Sequence, residues 1–344
     1  MRGHGVQVLV VGAGIAGLAT ARTLRRWGAE VEVVERAPAA RTEGAGIYLP
    51  GNAVRALTDL GVTGFRAAQI TRQRISDHRG RPLMDLPVEA LWHGVGPCLA
   101  THRADLHRIL LADVPVRWSC TVSSVDSAGS VVFADGSTSQ YDLVIGADGV
   151  HSSVRQILFG VAARPLGFDS RRFVVPWAEP SPFWSLMLGR NAAFLTIPIG
   201  EEQVYCYAEG DVDGFADPVP KLLANAPDAH RAPIEEVALP HWSRGLVTLI
   251  GDAAHATSPN MAQGAAMAVE DALVLASTLS QADTIESALR LFEERRRPRT
   301  EWVRAQTHRR DRSRSLPGPM RNLVLRLFGG RMFQANYRPL REGP

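Results

Sequence analysis

The chain has 344 residues, of which 45% are hydrophobic and 21% charged, more apolar content than the core of one average domain needs. Formal net charge is +3, and Lys221 is the sole lysine among 38 basic residues, so global charge points to no nucleic-acid partner. Three widely spaced cysteines, Cys98, Cys120 and Cys206, fit reduced thiols in a cytoplasmic enzyme better than a disulfide framework or a zinc site.

In chain order, the apolar run Val6 to Val11 predicts a buried strand, Ile15 to Trp27 carry helical spacing stopped by Gly28, and Val31 to Glu35 predict the next strand. This strand, helix, strand unit implies a parallel pair with a right-handed crossover. The apolar stretch up to Ala21 imitates a signal peptide, but Gly12, Gly14 and Gly17 fall where a nucleotide fingerprint needs them. No stretch of about twenty uninterrupted apolar residues occurs, so no transmembrane segment is expected.

From about Arg66 to Leu99 periodicity fades, and from about Gly167 to Arg244 polar residues alternate with aromatic or β-branched ones, as in two pieces of one sheet domain. Between them, Arg103 to Ala112 form an amphipathic helix and Tyr141 to Gly146 a buried strand. Leu246 to Ile250 make a third apolar strand, ending on Gly251-Asp252. The expected architecture is α/β: a discontinuous Rossmann-like domain (1–68, 100–166, 245–295) interleaved with a β-sheet substrate domain (69–99, 167–244), then a C-terminal helical segment (296–344). Nine arginines fall between Arg295 and Arg314. An acidic-membrane or nucleic-acid face is the lesser reading there. The preferred one is a solvated helix face whose other side packs through Leu289, Leu291, Phe292, Trp302 and Val303.

In Gly12-Ala13-Gly14-Ile15-Ala16-Gly17 the first glycine permits a tight turn, the second lets backbone approach a pyrophosphate, and the third lets helix pack on strand. Glu35, at the end of the second strand, is placed to accept from both hydroxyls of an adenosine ribose. The fingerprint alone does not separate FAD from NAD. Further on, Tyr141-Asp142-Leu143-Val144-Ile145-Gly146-Ala147-Asp148-Gly149 runs to Arg155, and Gly251-Asp252-Ala253-Ala254-His255 is followed by Pro259 and Gln263-Gly264.

With Arg103 in Thr101-His102-Arg103-Ala104-Asp105-Leu106 and with Gly44-Ala45-Gly46-Ile47 ahead of Pro50-Gly51-Asn52-Ala53, these motifs resemble the single-component FAD-dependent aromatic hydroxylases, the class A flavoprotein monooxygenases. The resemblance covers the three nucleotide-binding pieces, about half the chain; the middle sheet region matches only in position and style. It implies FAD, with NADPH or NADH as transient reductant, and one oxygen atom of O2 inserted into an aromatic or polycyclic small molecule by way of a flavin hydroperoxide. Gly12, Gly14, Ala16, Gly17 and Glu35, with Arg36 and Arg41, look like the ADP-binding set. Arg103 looks like the arginine reaching the ribityl or phosphate oxygens, and Asp252 like the acid anchoring the ribityl and pyrophosphate region. Asp148 and Arg155 look like the motif shared between FAD and NAD(P)H. Gly264 and Ala265 open a helix aimed at the pyrimidine edge of the flavin. No catalytic side chain is assigned; Pro259, Ala262, Gln263 and Gly264 form the flavin-edge loop.

One departure stands out: the family has glycine where this chain has Ala262, so a positive φ there would strain alanine. His255 is expected to be structural, and His93, His151 and His241 lack metal-ligand spacing. A flavin-dependent halogenase would need a lysine near the substrate, and a flavin-dependent reductase or dehydrogenase of an unsaturated molecule would share the cofactor motifs. Among Trp92, Phe173, Trp177, Phe183, Trp184, Phe194, Tyr205 and Tyr207, most are expected to be core, with some lining a pocket for a flat hydrophobic ligand.

Overall fold

The computed structural model describes every residue except 2, 41–44, 179, 201, 227–228 and 315. Arg41 and Gly44 lie outside the described residues.

The α/β architecture begins where the apolar periodicity places it. Gln7–Val11 is a buried strand, Ile15–Trp27 a helix, and Glu30–Val34 the parallel neighbour of the first strand. Gly28 ends the helix at φ 104, its N–H reaching the carbonyls of Leu24 and Arg25. Leu143–Gly146 pairs on the other side of Gln7–Val11, and Val247–Leu249 pairs with Leu143–Gly146, both parallel. The six-stranded sheet is completed by Val116–Arg117 at one edge and Ser243–Arg244 at the other. Three separate stretches of sequence thus align their strand ends, where a doubly wound sheet opens its crevice.

A second, seven-stranded sheet takes Arg72–Asp77 and Pro82–Pro87 from early in the chain and the strands between Arg164 and Glu236 from later. The two contributions meet where Arg72–Asp77 pairs parallel with Phe183–Leu188. Strand alternation divides its aromatics between two faces. Trp184, Tyr205 and Tyr207 join the large core shared with the nucleotide-binding sheet, whereas Phe173 and Phe194 belong to a separate cluster under the helix Val219–Ala224.

The helix Gly264–Gln281 packs along Ile15–Trp27 and is buried through most of its length. Ile285–Arg314 follows, and Gly318–Tyr337 closes the fold against Pro82–Pro87. Two expectations for the arginine-rich segment are corrected. Arg296 is not on a solvated face but 0% exposed, and Leu291 is 39% exposed rather than packed. The acids Glu270 and Asp271 draw Arg296 inward, which turns Leu291 out while Leu289, Phe292 and Val303 remain buried. No helix among the described residues is long and apolar enough to cross a membrane.

Candidate cofactor site

Two of the fingerprint glycines are fixed by close approach. A Cβ on Gly12, which sits at φ +107, would lie 2.5 Å from the Ala147 carbonyl oxygen, and one on Gly17 would lie 1.9 Å from that of Gly12. Gly14 is different: its backbone is extended (φ −79, ψ −175), and a Cβ there would meet nothing within 4 Å. That open space adjoins the N-terminus of Ile15–Trp27, which has no side-chain cap and no acid in its first turn. Its unbonded N–H groups and partial positive charge suit a phosphate.

Glu35 is half-buried, and both its oxygens are engaged: Oε2 accepts from the Ala13 N–H and Oε1 from the Ala37 N–H, each at 2.9 Å. The carboxylate is therefore held at the fingerprint turn with lone pairs left for hydroxyl donors. The His107 ring nitrogen steadies the same turn, 2.6 Å from the Ala13 carbonyl oxygen. Arg36 is exposed nearby. Arg103, also exposed, starts the helix Arg103–Leu111 with its N–H donating to the Ala45 carbonyl. A cavity of about 660 Å³ opens beside that helix start, lined by Arg66, His102, Asp105, Ile199 and Gln203 among others. A second, of about 480 Å³, borders mainly the separate cluster around Phe194 and Val204, on the sheet face away from the nucleotide-binding fold, and does not belong to this site.

Asp148 caps the helix Ser153–Phe159: its Oδ2 accepts from the Ser153 N–H (2.7 Å), the Ser153 hydroxyl (2.8 Å) and the Val154 N–H (3.2 Å). Its Oδ1 is buried and has no hydrogen-bond partner among the described residues. Arg155 turns its guanidinium into the protein. It is 2% exposed, and its three nitrogens donate to the carbonyls of Val161 (2.9 Å), Ala253 (3.1 Å) and Val150 (2.6 Å). Burial lowers its pKa from the usual guanidinium value, against the pull of Asp148 and Glu235. Arg155 thus ties the Asp148 turn to the segment following Asp252.

Gly251 adopts φ 58, ψ −142, and a Cβ there would lie 2.9 Å from the Ala16 Cβ, so this turn abuts the fingerprint helix. Asp252 is exposed, with Oδ1 3.9 Å from the position a Cβ would take on Gly264. At Gly264 begins an 18-residue helix, again without a side-chain cap or an acid in its first turn. Gly264 is exposed and Ala265 half-buried. Two uncapped helix N-termini therefore flank one exposed carboxylate, with an open approach at Gly14.

The loop between is held from behind. Ala262 sits at φ 52, ψ 37, the left-handed conformation the sequence departure anticipates. The exposed Pro259 opens a one-turn 3-10 segment. Gln263 turns its side chain inward, 2% exposed, exchanging amide hydrogen bonds with Asn52 at 2.8 and 3.3 Å, so only its backbone is available at the loop surface. The Asn260 amide donates to Asp311 (2.7 Å) and to the Thr307 carbonyl (3.2 Å), and Arg310 donates to the Asn260 carbonyl (2.8 Å) and Tyr337 Oη (3.2 Å).

Beneath these lies a buried charge cluster that sequence reasoning missed. Arg296, 0% exposed, donates to Asp271 (2.8 Å) and Glu270 (2.9 Å), and Arg299 donates to both Glu270 oxygens (2.7 and 2.8 Å). Asp271 Oδ2 accepts from the Gly251 N–H (2.9 Å) and lies 2.7 Å from His255 Nε2. Burial alone would push the Asp271 carboxyl up; His255 and Arg296 together outweigh it and hold it below the usual carboxylate range. His255 is accordingly structural, with Trp242 against its ring at 5.1 Å. The signal was present in the sequence: two acids in the middle of an otherwise apolar helix need buried cations. His93, His151 and His241 pair with Glu89, Glu235 and Glu293. Lys221 pairs with Asp217 at 2.6 Å beside the separate cluster, away from the flavin-edge loop.

The model of the FAD binding domain matches residues 5–164 and 219–307. The chain is 36% identical to an aurachin C monooxygenase/isomerase from Stigmatella aurantiaca, over 84% of each protein. It is 34% identical to 3-amino-4-hydroxybenzoate 2-monooxygenase PtnB3 from Streptomyces platensis, over 93% of this chain and 91% of the relative. Klebsiella pneumoniae HpxO, solved with FAD and uric acid, superposes with a TM-score of 0.89 at 27% identity, covering 100% of this chain and 98% of that one. By these matches, and by the cradle its glycines and helix ends build, the chain belongs to the FAD-dependent monooxygenases.

Proposed function

We propose that this chain inserts one atom of O2 into a flat aromatic or heteroaromatic small molecule, with NADPH or NADH as reductant. The observation that carries the reading is the pair of uncapped helix N-termini at Gly14 and Gly264 with exposed Asp252 between them. Bound FAD supplies the hydride acceptance and oxygen activation that no side chain provides.

The chain's own groups divide the remaining work. The N–H groups beyond Gly14 receive the pyrophosphate, with Gly12, Ala16 and Gly17 allowing the approach; Glu35 accepts from the ribose, with Arg36 beside it. Arg103 and Asp252 hold the ribityl and phosphate region. Asp148 holds the start of the helix Ser153–Phe159, and Arg155 fixes the turn that carries it. Gly264 and Ala265, at the uncapped start of their helix, would hold the electron-rich edge of the bound cofactor by their N–H groups and the helix dipole. Pro259, Ala262 and the Gln263 backbone shape the loop. The segments 1–68, 100–166 and 245–295 act as the cofactor domain, and 69–99 with 167–244 as the substrate domain.

The sheet face packed toward the cofactor fold carries Trp184, Tyr205 and Tyr207, all buried in the shared core. Burial raises the Tyr205 pKa, opposed by Arg172 and Arg103. One relative is a 3-amino-4-hydroxybenzoate 2-monooxygenase, and HpxO was solved with uric acid. Three buried, unpaired cysteines accord with a cytoplasmic enzyme; burial pushes the Cys98 thiol up to about 11.

The test is a panel of aromatic and non-aromatic compounds, scored for accelerated NAD(P)H oxidation together with a mass gain of one oxygen. Oxygenation of aromatic members is expected. Reduced product without added oxygen would replace this reading with a reductase.

A further inference from the structure

The helix Gly318–Tyr337 buries one side on the fold through Gly329, Phe333 and Tyr337; a Cβ on Gly329 would already lie 3.2 Å from the Met84 sulfur. Its other side is also apolar. Met320 (49% exposed), Leu323 (58%), Leu327 (62%), Phe328 (49%) and Met332 (43%), continued by Leu316 (37%) just before the helix, recur at three- and four-residue spacing. A run of this size on one exposed element is more than the scattered apolar residues of an ordinary surface.

The charges beside it are of one sign. From Gly318 to Tyr337 the sequence holds Arg321, Arg326 and Arg331 and no Asp or Glu, and Arg338 and Arg341 follow. Arg321 is buried, donating to the Gly189 carbonyl at 2.6 Å, which leaves Arg326 and Arg331 exposed along the apolar stripe. An exposed apolar stripe accompanied only by arginines matches the chemistry of an anionic lipid surface, with the side chains entering the headgroup boundary and the guanidinium groups meeting phosphates. A second copy of the chain fits less well: a two-fold contact through this face sets Arg326 and Arg331 against their own equivalents, with no acid on the helix to pair them.

We propose that the helix Gly318–Tyr337 docks the enzyme, lying flat, on membranes that contain anionic phospholipid. FAD-loaded protein should co-sediment with vesicles of phosphatidylcholine containing phosphatidylglycerol, and roughly tenfold less with phosphatidylcholine alone. The double variant Leu323→Gln/Leu327→Gln should lose sedimentation while keeping its FAD content and melting temperature, because both side chains already face solvent. Arg326→Gln/Arg331→Gln should weaken binding to the anionic vesicles and lower its salt sensitivity. The proposal is overturned if wild-type protein ignores the anionic vesicles, or if the leucine variant binds them as well as wild type. It is equally overturned if light scattering finds a dimer that the leucine variant converts to monomer.

Discussion

Ala262 occupies the left-handed region, and replacing it tests how the flavin-edge loop is built. An L-residue there costs about 1 to 2 kcal/mol relative to the right-handed form. Glycine removes that cost but returns about 0.7 kcal/mol through its freer unfolded chain. It also gives up about half of the ~0.8 kcal/mol that a fully buried methyl contributes, since Ala262 is half-buried. Ala262→Gly should therefore be neutral to slightly stabilising, by about 0.4 kcal/mol. Ala262→Val should lose roughly 2 kcal/mol, because a β-branched side chain tolerates this conformation worst. Were the backbone right-handed, the order would reverse: glycine would lose about 1 kcal/mol and valine about half that. Urea unfolding of the three proteins at matched slope decides, and a valine variant more stable than the glycine variant refutes the argument. Because Asn260, Arg310 and Asn52 clamp the loop from behind, the glycine variant should keep the wild-type reduction potential of bound FAD.

Three further outcomes are expected. Gly14→Val should leave urea unfolding of the FAD-free protein unchanged, because its Cβ meets open space, yet abolish FAD retention; full FAD occupancy would mean the fingerprint is misread. Arg296→Met should cost about 3 to 5 kcal/mol in unfolding experiments by leaving buried carboxylates short of a cation, and a loss below about 1 kcal/mol would show the cluster to be hydrated instead. Asp271 has its folded pKa below the unfolded value of about 3.9, so its contribution is full above that pH and is lost as pH falls through the lowered folded value. The stability curve between pH 5 and pH 2 should then fall more steeply for wild type than for Asp271→Asn, and parallel curves would remove Asp271 from the account.

The cofactor half of the fold was legible because its signals are local. Gly12, Gly14 and Gly17 between two apolar runs specify a strand, a turn and a helix within about thirty residues, and the stop at Gly28 is a backbone requirement. Ala262 stood out only against the family pattern, which has glycine there, and its left-handed φ of 52 accounts for that preference. Arg155 was placed at the cofactor by the resemblance of its motif to the family's, and a motif does not report that its nitrogens are taken up by carbonyls of Val150, Val161 and Ala253. The cluster of Glu270, Asp271, Arg296 and Arg299 joins residues 25 or more positions apart on two successive helices, and Asn52 reaches Glu270 from more than 200 residues away. Such pairings depend on tertiary geometry. The aromatics of the middle region divide between two sheet faces, a division that alternation predicts within each strand but that pairing alone orients toward the cofactor.

That charge cluster also bears on how the protein is made. During synthesis the fingerprint, the Asp148 turn, the Gly251-Asp252 turn and the helix Gly264–Gln281 all emerge before Arg296. A nascent chain that stops at residue 281 carries Glu270 and Asp271 with neither of their arginines, leaving Asp271 with His255 and Glu270 with only the Asn52 amide, so packing that helix would bury a carboxylate without a cation. The clamp on Asn260 from Arg310 and Asp311 would not yet exist. The packing of the helix Gly264–Gln281 and of the loop at Asn260 is therefore completed only by side chains from the last fifty residues of the chain, Arg296, Arg299, Arg310 and Asp311.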